Sequence, residues 1–335
     1  MCAPWPTSRP AGAEMRGAWL LVAVAVAPLA WAQQAPPLDA VQWLQKIYSA
    51  SKKLSFSGTF IYQHGPFMET SRIARSVAGA NSQERLDVLE GTPREIVRNN
   101  DDVTCYLPGS MTVKVEKAIV ARPFPGLVPE NVKDIAEYYT IRKGDVWRVA
   151  GLECQSIVLE PKDAFRYGQR LCADTATGML LKAQTLNEKN EVIEQFAFTD
   201  IRIGSVGKAE LKSRFAGKGN DWRVEHADMT PASFAELGWT LTGIPAGYRK
   251  VTEVKRRLGG SPDVGQIVLS DGMSAISVFI EPAANRTIRQ LGAARQGATS
   301  IYTRKVDDYV VTVVGETPAE SARAIAQGVE YRKPN

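Results

Sequence analysis

Histidine is almost missing from this chain of 335 residues: His64 and His226 are the only two. Cysteine is scarce as well, with four residues. These two shortages argue against Cys/His zinc sites and most histidine-based acid–base catalysis. No strong excess of one charge sign exists either. Forty-one Lys and Arg face 36 Asp and Glu, a net +5, well short of the clustered positive charge of nucleic-acid binders. No GxSxG, HExxH, CxxC or EF-hand pattern occurs, and the Gly/Lys runs at Ile203–Lys208 and Phe215–Gly219 do not fit GxxxxGK[ST]. No catalytic residue, metal ligand or cofactor is therefore expected. What remains, at 44% hydrophobic and 23% charged residues, is an ordinary globular composition with length for two domains.

Long apolar runs are lacking too, with one exception. Trp19–Ala32 follows Arg16, holds an apolar stretch of about a dozen residues, and ends in the small-x-small triplet Ala30-Trp31-Ala32. A spanning helix needs roughly 20 apolar residues, and Pro28 and Gln33 come too early for that. Residues 1–32 are expected to be a signal peptide cleaved near Ala32, with an uncleaved anchor as the alternative. Met15 to Ala32 is already complete, so the start is either Met1 or Met15. Export would place Cys105, Cys154 and Cys172 in an oxidising compartment, where three cysteines allow at most one internal bridge.

After the leader, Leu38–Lys53 has helical spacing, with Asp39 as N-cap. From Ser55 to Asp200 short alternating runs follow one another, broken by turn residues and by the Pro-rich loop Arg122–Pro129. About ten antiparallel strands with one long helix must curl, and the helix can fill the concave side. Residues 33–202 are thus expected to form a first, mainly β domain, and the Gly/Lys-rich 203–221 a linker. Residues 222–333 are expected to form a smaller α+β domain. Asp271-Gly272 predicts a two-residue hairpin turn there, and Thr317-Pro-Ala-Glu320 a capping box that starts the last helix.

Four constellations stand out. In the simplest hairpin register Cys154 faces Cys172, Ser156 faces Arg170 and Glu160 faces Arg166, which favours a Cys154–Cys172 bridge over two reduced thiols. Phe56, Phe60 and Tyr62 share a face with Gly58 between them, either as core or as the lining of an apolar cavity in which Gly58 leaves room for an acyl chain. The mixed-charge run Glu84–Arg98 reads as a solvated sheet face laced with ion pairs, or as a docking strip. Arg249, Lys250, Lys255, Arg256 and Arg257 sit on one alternating strand, as edge protection or as a basic strip for lipid phosphates or an acidic peptide.

Further segments are informative together: Gly58-Thr-Phe-Ile-Tyr62, Glu84–Arg98, Val103–Pro108, Tyr167–Leu171 and Glu194–Asp200 in the first half, and Gly243–Tyr248, Leu269–Met273, Val278–Pro282 and Gly297–Ser300 in the second. In these segments the chain resembles the RseB/MucB family of periplasmic regulators of the envelope-stress factor sigma-E. The resemblance implies a LolA/LolB-like unclosed β-barrel around helices, followed by a smaller domain. It also implies a periplasmic protein that binds the periplasmic segment of an RseA/MucA-type anti-sigma factor and shields it from stress proteases. Release would be linked to lipopolysaccharide or lipoprotein acyl chains. Nucleic acid is not implied, and a homo-oligomer is compatible. The alternative is a periplasmic lipid or lipoprotein carrier without a signalling role. No partner-contact residue carries over from the resemblance.

Overall fold

The computed structural model of the chain describes residues 38–118, 124–217, 221–227, 229–258, 261–285 and 291–333. The expected signal peptide lies outside them. Among the described residues no helix is long and apolar enough to cross a membrane. Helix α1 (Ala40–Lys53) begins with a reciprocal cap: Asp39 accepts from the Gln42 N–H at 2.8 Å, and Gln42 accepts from the Asp39 N–H at 2.9 Å. At its other end Lys52 and Lys53 oppose the negative pole of the dipole. There Arg75 also donates to the Ser51 carbonyl at 2.6 Å. Trp43, Leu44, Ile47 and Ala50 form the stripe that α1 buries.

Around that stripe curls the first sheet. Its strands are β1 (Phe56–His64), β2 (Phe67–Ala78), β3 (Asn81–Glu90), β4 (Glu95–Asn99), β5 (Asp102–Leu107) and β6 (Thr112–Lys117). After helix α2 (Val132–Tyr138) come β7 (Tyr139–Val149), β8 (Leu152–Pro161), β9 (Gly168–Asp174), β10 (Leu180–Leu186) and β11 (Val192–Ile203). A short turn, α3 (Lys208–Leu211), leads to β12 (Arg223–His226). The order β12-β6-β5-β4-β3-β2-β1-β11-β10-β9-β8-β7 leaves β12 and β7 as edges that do not pair with each other, so the barrel is unclosed. Burying the concave face on α1 and α2 substitutes for closure, and Leu44, Ile47, Phe56, Ile73, Ile135, Ile157 and Leu171 are the centre of that core.

The second domain is a sheet of β13 (Met229–Pro231), β15 (Arg249–Leu258), β16 (Ser261–Ser270), β17 (Ala275–Pro282), β18 (Gly292–Gln296), β19 (Thr299–Val306) and β20 (Tyr309–Glu316). Its order is β13-β15-β16-β17-β20-β19-β18. A ribbon of β14 (Trp239–Leu241) and β21 (Val329–Tyr331) flanks it. Helix α4 (Ala319–Gln327) covers one face through Ala322, Ile325 and Ala326.

Several expectations need correction. The hairpin β8–β9 pairs Cys154 with Asp174, Ser156 with Cys172 and Val158 with Arg170, two residues away from the simplest register. The reason is the loop: the Asp163 carboxylate accepts from the Phe165 N–H at 2.9 Å, and Arg166 turns away, so β9 starts only at Gly168. Glu160 pairs with Arg142 instead of Arg166. A slip of two preserves the face, because side chains alternate with period two. Cys154 and Cys172 are therefore diagonal neighbours, joined by a disulfide with Cα atoms 5.4 Å apart.

The segment read as a linker is packed. Leu211 is buried, Arg85 donates to the Glu210 carbonyl at 3.2 Å, and Arg214 pairs with Asp87 and Glu95. The ring of Phe215 sits 5.3 Å from that of Trp222 and 5.8 Å from that of Tyr106. This strap covers the strip Glu84–Arg98, whose Glu84, Asp87 and Glu95 are buried and not solvated. Residues 223–226 then join the first sheet beside β6, so the boundary expected at 222 falls inside that sheet. Nor is β15 an edge along its full length, since β13 pairs with Val254–Arg256. Asp271-Gly272 belongs to a longer loop between paired Ser270 and Ala275, in which the Asp271 carboxylate accepts the N–H groups of Met273 and Ser274. Thr317 does not cap α4, because its hydroxyl donates to the Phe165 carbonyl of the first domain.

Candidate functional site

The two domains meet along a polar row beside an apolar cleft. Arg166, on the loop between β8 and β9, has a side chain fully withdrawn from solvent. Its Nε donates to Asp271 at 2.9 Å, and its other nitrogens reach Asp163 and the Ala246 carbonyl. The guanidinium lies between two rings, 4.4 Å from the centre of Tyr138 and 5.0 Å from that of Tyr248. Gly247 makes this possible: at φ +88°, a Cβ there would come within 2.6 Å of the Tyr138 ring and 2.7 Å of Arg166. Burial, with the Asp271 charge adding to it, pushes the Tyr248 phenol up to about 12. Thr317 and Ser321 both donate to the Phe165 carbonyl, at 3.1 and 2.7 Å.

Next to this row opens a cleft of about 410 Å³. Phe124 and Leu127 of the Pro-rich loop form one wall, and Met273, Ala275, Val314 and Glu316 of the second domain the other. Phe124 stacks on Phe60 at 4.5 Å and touches Phe196 at 4.9 Å, so the cleft is continuous with the barrel core through one ring.

Phe56 and Phe60 are buried core residues, and Tyr62 packs partly buried at its margin. Gly58 leaves no vacancy on its core side: a Cβ there would collide with the Asp200 carbonyl and lie 3.2 Å from Phe198. Its lack of a side chain lets β11 approach, and the acyl-sized space is outside the barrel, beyond Phe124. The cations of β15 do not converge. Arg256 turns inward to Glu116 at 3.6 Å and Gln266 at 3.0 Å, Lys250 pairs with Glu253 at 3.0 Å, and Arg249, Lys255 and Arg257 are exposed. Cys105 is half-buried and free, and burial pushes its thiol up. Arg166, Asp271 and Phe124 escaped sequence reasoning. Arg166 and Asp271 are 105 positions apart, and no local period or spacing connects them.

Residues 39–227 match the MucB/RseB N-terminal domain and residues 233–330 the MucB/RseB C-terminal domain. The chain belongs to the MucB/RseB family. It is 30% identical to the sigma factor AlgU regulatory protein MucB of Pseudomonas aeruginosa, over 87% of this chain and 90% of that protein. It is 24% identical to the sigma-E factor regulatory protein RseB of Salmonella typhimurium, over 95% and 99%. Among solved structures, MucB in complex with MucA(peri) superposes with a TM-score of 0.66 at 28% identity, covering 88% of this chain and all of that one. The Pseudomonas aeruginosa MucA/MucB complex gives a TM-score of 0.68 at 27% identity, covering 88% and 99%. These MucB/RseB relatives are named as regulatory proteins.

Proposed function

We propose that this chain is a non-enzymatic periplasmic regulator that binds the periplasmic segment of a membrane-spanning anti-sigma factor. By covering that segment it keeps stress proteases away and restrains the sigma-E response. The observation that carries this is the family match over both domains, together with the crystal structure of the relative MucB in complex with MucA(peri). Export through the leader at residues 1–32 places the protein where such a segment lies. The two modules divide between β12 and β13, close to the gap between the two family matches.

The cleft beside Phe124 supports a lipid input. Its apolar walls suit the acyl chain of a lipopolysaccharide fragment or of a mislocalised lipoprotein, and each buried methylene contributes about 0.8 kcal/mol. Such a ligand weakens partner binding if it prefers a different domain arrangement. The same cleft favours the second reading, a lipid or lipoprotein carrier.

Pulldown from envelope extract with the chain beginning at Gln33 separates the two. Retention of one membrane-embedded anti-sigma factor, released by a lipopolysaccharide fragment below its micelle threshold, is expected. Recovery of acylated molecules without any such protein would favour the carrier.

A further inference from the structure

Asp87 on β3 and Glu95 on β4 are paired directly across the first sheet, and their side chains are 6% and 0% exposed. Two carboxylates withdrawn this far from water need cations and donors around them. Arg85 supplies the first, with Nε 2.9 Å from Glu95 and Nη2 3.4 Å from Asp87. Arg214 of the strap supplies the second from outside the sheet. Its Nη2 donates to Asp87, its Nε lies 3.6 Å from Glu95, and its backbone N–H donates to Glu95 at 3.2 Å. Glu95 keeps acceptor capacity even so, because its buried Oε1 has no hydrogen-bond partner among the described residues.

The other cross-strand neighbour of Glu95 is Tyr106 on β5. Here the ring of Phe215 is received, between Tyr106 at 5.8 Å and Trp222 at 5.3 Å. An arginine and the aromatic residue after it thus occupy two adjoining places, one acidic and one lined by rings. The acids are buried, but Arg214 is 57% exposed and Phe215 only half-buried. Leu211, upstream, is the buried anchor of the strap. The pair can therefore lift while Leu211 stays in place and Arg85 still compensates both carboxylates.

We propose that Asp87, Glu95, Tyr106 and Trp222 form a binding site for an extended segment of a partner protein that carries an arginine followed by an aromatic residue. Arg214-Phe215 fills this site in cis until such a segment displaces it. The strap shows the ligand chemistry by taking its place. A planar guanidinium divides its donors between two carboxylates, which the compact ammonium of lysine does not reproduce, and the flanking rings suit a flat side chain. Cis occupation also sets a threshold, since an incoming segment meets a free site only in the fraction of molecules whose strap is open. The site does not depend on the regulatory role proposed above.

The probe is the peptide Lys-Ser-Arg-Phe-Ala-Gly, the chain's own residues 212–217, titrated calorimetrically against the chain beginning at Gln33. Wild type, with its site filled, is compared with Arg214→Ala/Phe215→Ala, in which the site is vacated. The vacated variant is expected to bind the peptide about tenfold more tightly, the gain when a site open in about a tenth of molecules becomes open in all. Alanine in place of the peptide's arginine should abolish binding, and lysine should weaken it. In wild type, saturating peptide should speed hydrogen exchange at the Arg214 N–H, which then leaves Glu95. Equal affinity for the two proteins, no binding to the vacated variant, or binding indifferent to the arginine overturns the proposal. So does Arg214 exchange that bound peptide leaves unchanged. A wild-type dimer that the vacated variant does not form would mean strap exchange between two copies, and would overturn the partner segment as occupant.

Discussion

Arg166 and Arg214 both tie a distant segment of chain to the first domain, in different media. Arg166 is dry, as is its partner Asp271, whose side chain is 1% exposed. Arg214 is 57% exposed, and its acids Asp87 and Glu95 already share Arg85. Coulomb attraction is similar in kind at both places, but desolvation is not. Removing a buried partner leaves a bare charge in a low dielectric, whereas removing an exposed one leaves a pair that still exists. The contribution of an ion pair in this protein is thus decided by what remains after its loss.

The largest effect expected from this contrast is Arg166→Met, which strands Asp271 and should cost about 3–5 kcal/mol in urea unfolding. Adding Asp271→Asn should restore a substantial part, because no lone charge then stays buried. A double variant as unstable as the sum of the singles would break the comparison. Second comes the bridge beneath the Arg166 loop. Cys154→Ser with Cys172→Ser releases β8 from β9 and should lower stability by roughly 3 kcal/mol, the chain-entropy value for a loop of this size. Non-reducing peptide mapping of the exported protein should recover the linked pair and leave Cys105 alkylated only after denaturation.

Glu84 sharpens the contrast from the other side, as a buried acid for which no ion pair is seen among the described residues. Burial pushes its carboxyl from 4.5 up to about 7, against the pull of Arg75 and Arg98, and its Oε2 finds no hydrogen-bond partner among the described residues. A raised carboxyl binds more protons folded than unfolded, so stability should decline from pH 4.5 to pH 7 and stay low above it. Glu84→Gln should remove that decline and gain about 2 kcal/mol at pH 8, read from urea midpoints at several pH values. The smallest effect is expected for Arg214→Ala, under about 1 kcal/mol. Trypsin should cut the strap at Lys208 or Lys212 sooner in that variant. An unaltered cutting pattern would mean that Leu211 and Phe215, not the ion pairs, hold the strap down.

The sequence by itself determined what rests on neighbours along the chain. Asp39 caps α1 because the partner Gln42 is three positions on, and period-two alternation was enough to announce the strands between Ser55 and Asp200, but not β12, β13 or β18. Face identity also survives errors of register, which is why the Cys154–Cys172 proximity could be derived from a hairpin slipped by two. Where two local signals competed, tertiary structure chose. Thr317 had a capping role open to it, but the Phe165 carbonyl across the domain boundary took its hydroxyl. Asp271-Gly272 looked like a tight turn, but the Asp271 carboxylate shapes a longer loop and receives Arg166. The strap at 204–217 has no period to detect, since its fixing points are one leucine, one phenylalanine and ions that find their partners more than a hundred residues away. Only the folded chain brings Arg166 to Asp271 and Phe124 to Phe60. Burial, which turns those meetings into stability, belongs to the assembled domains and is not encoded in any window of sequence.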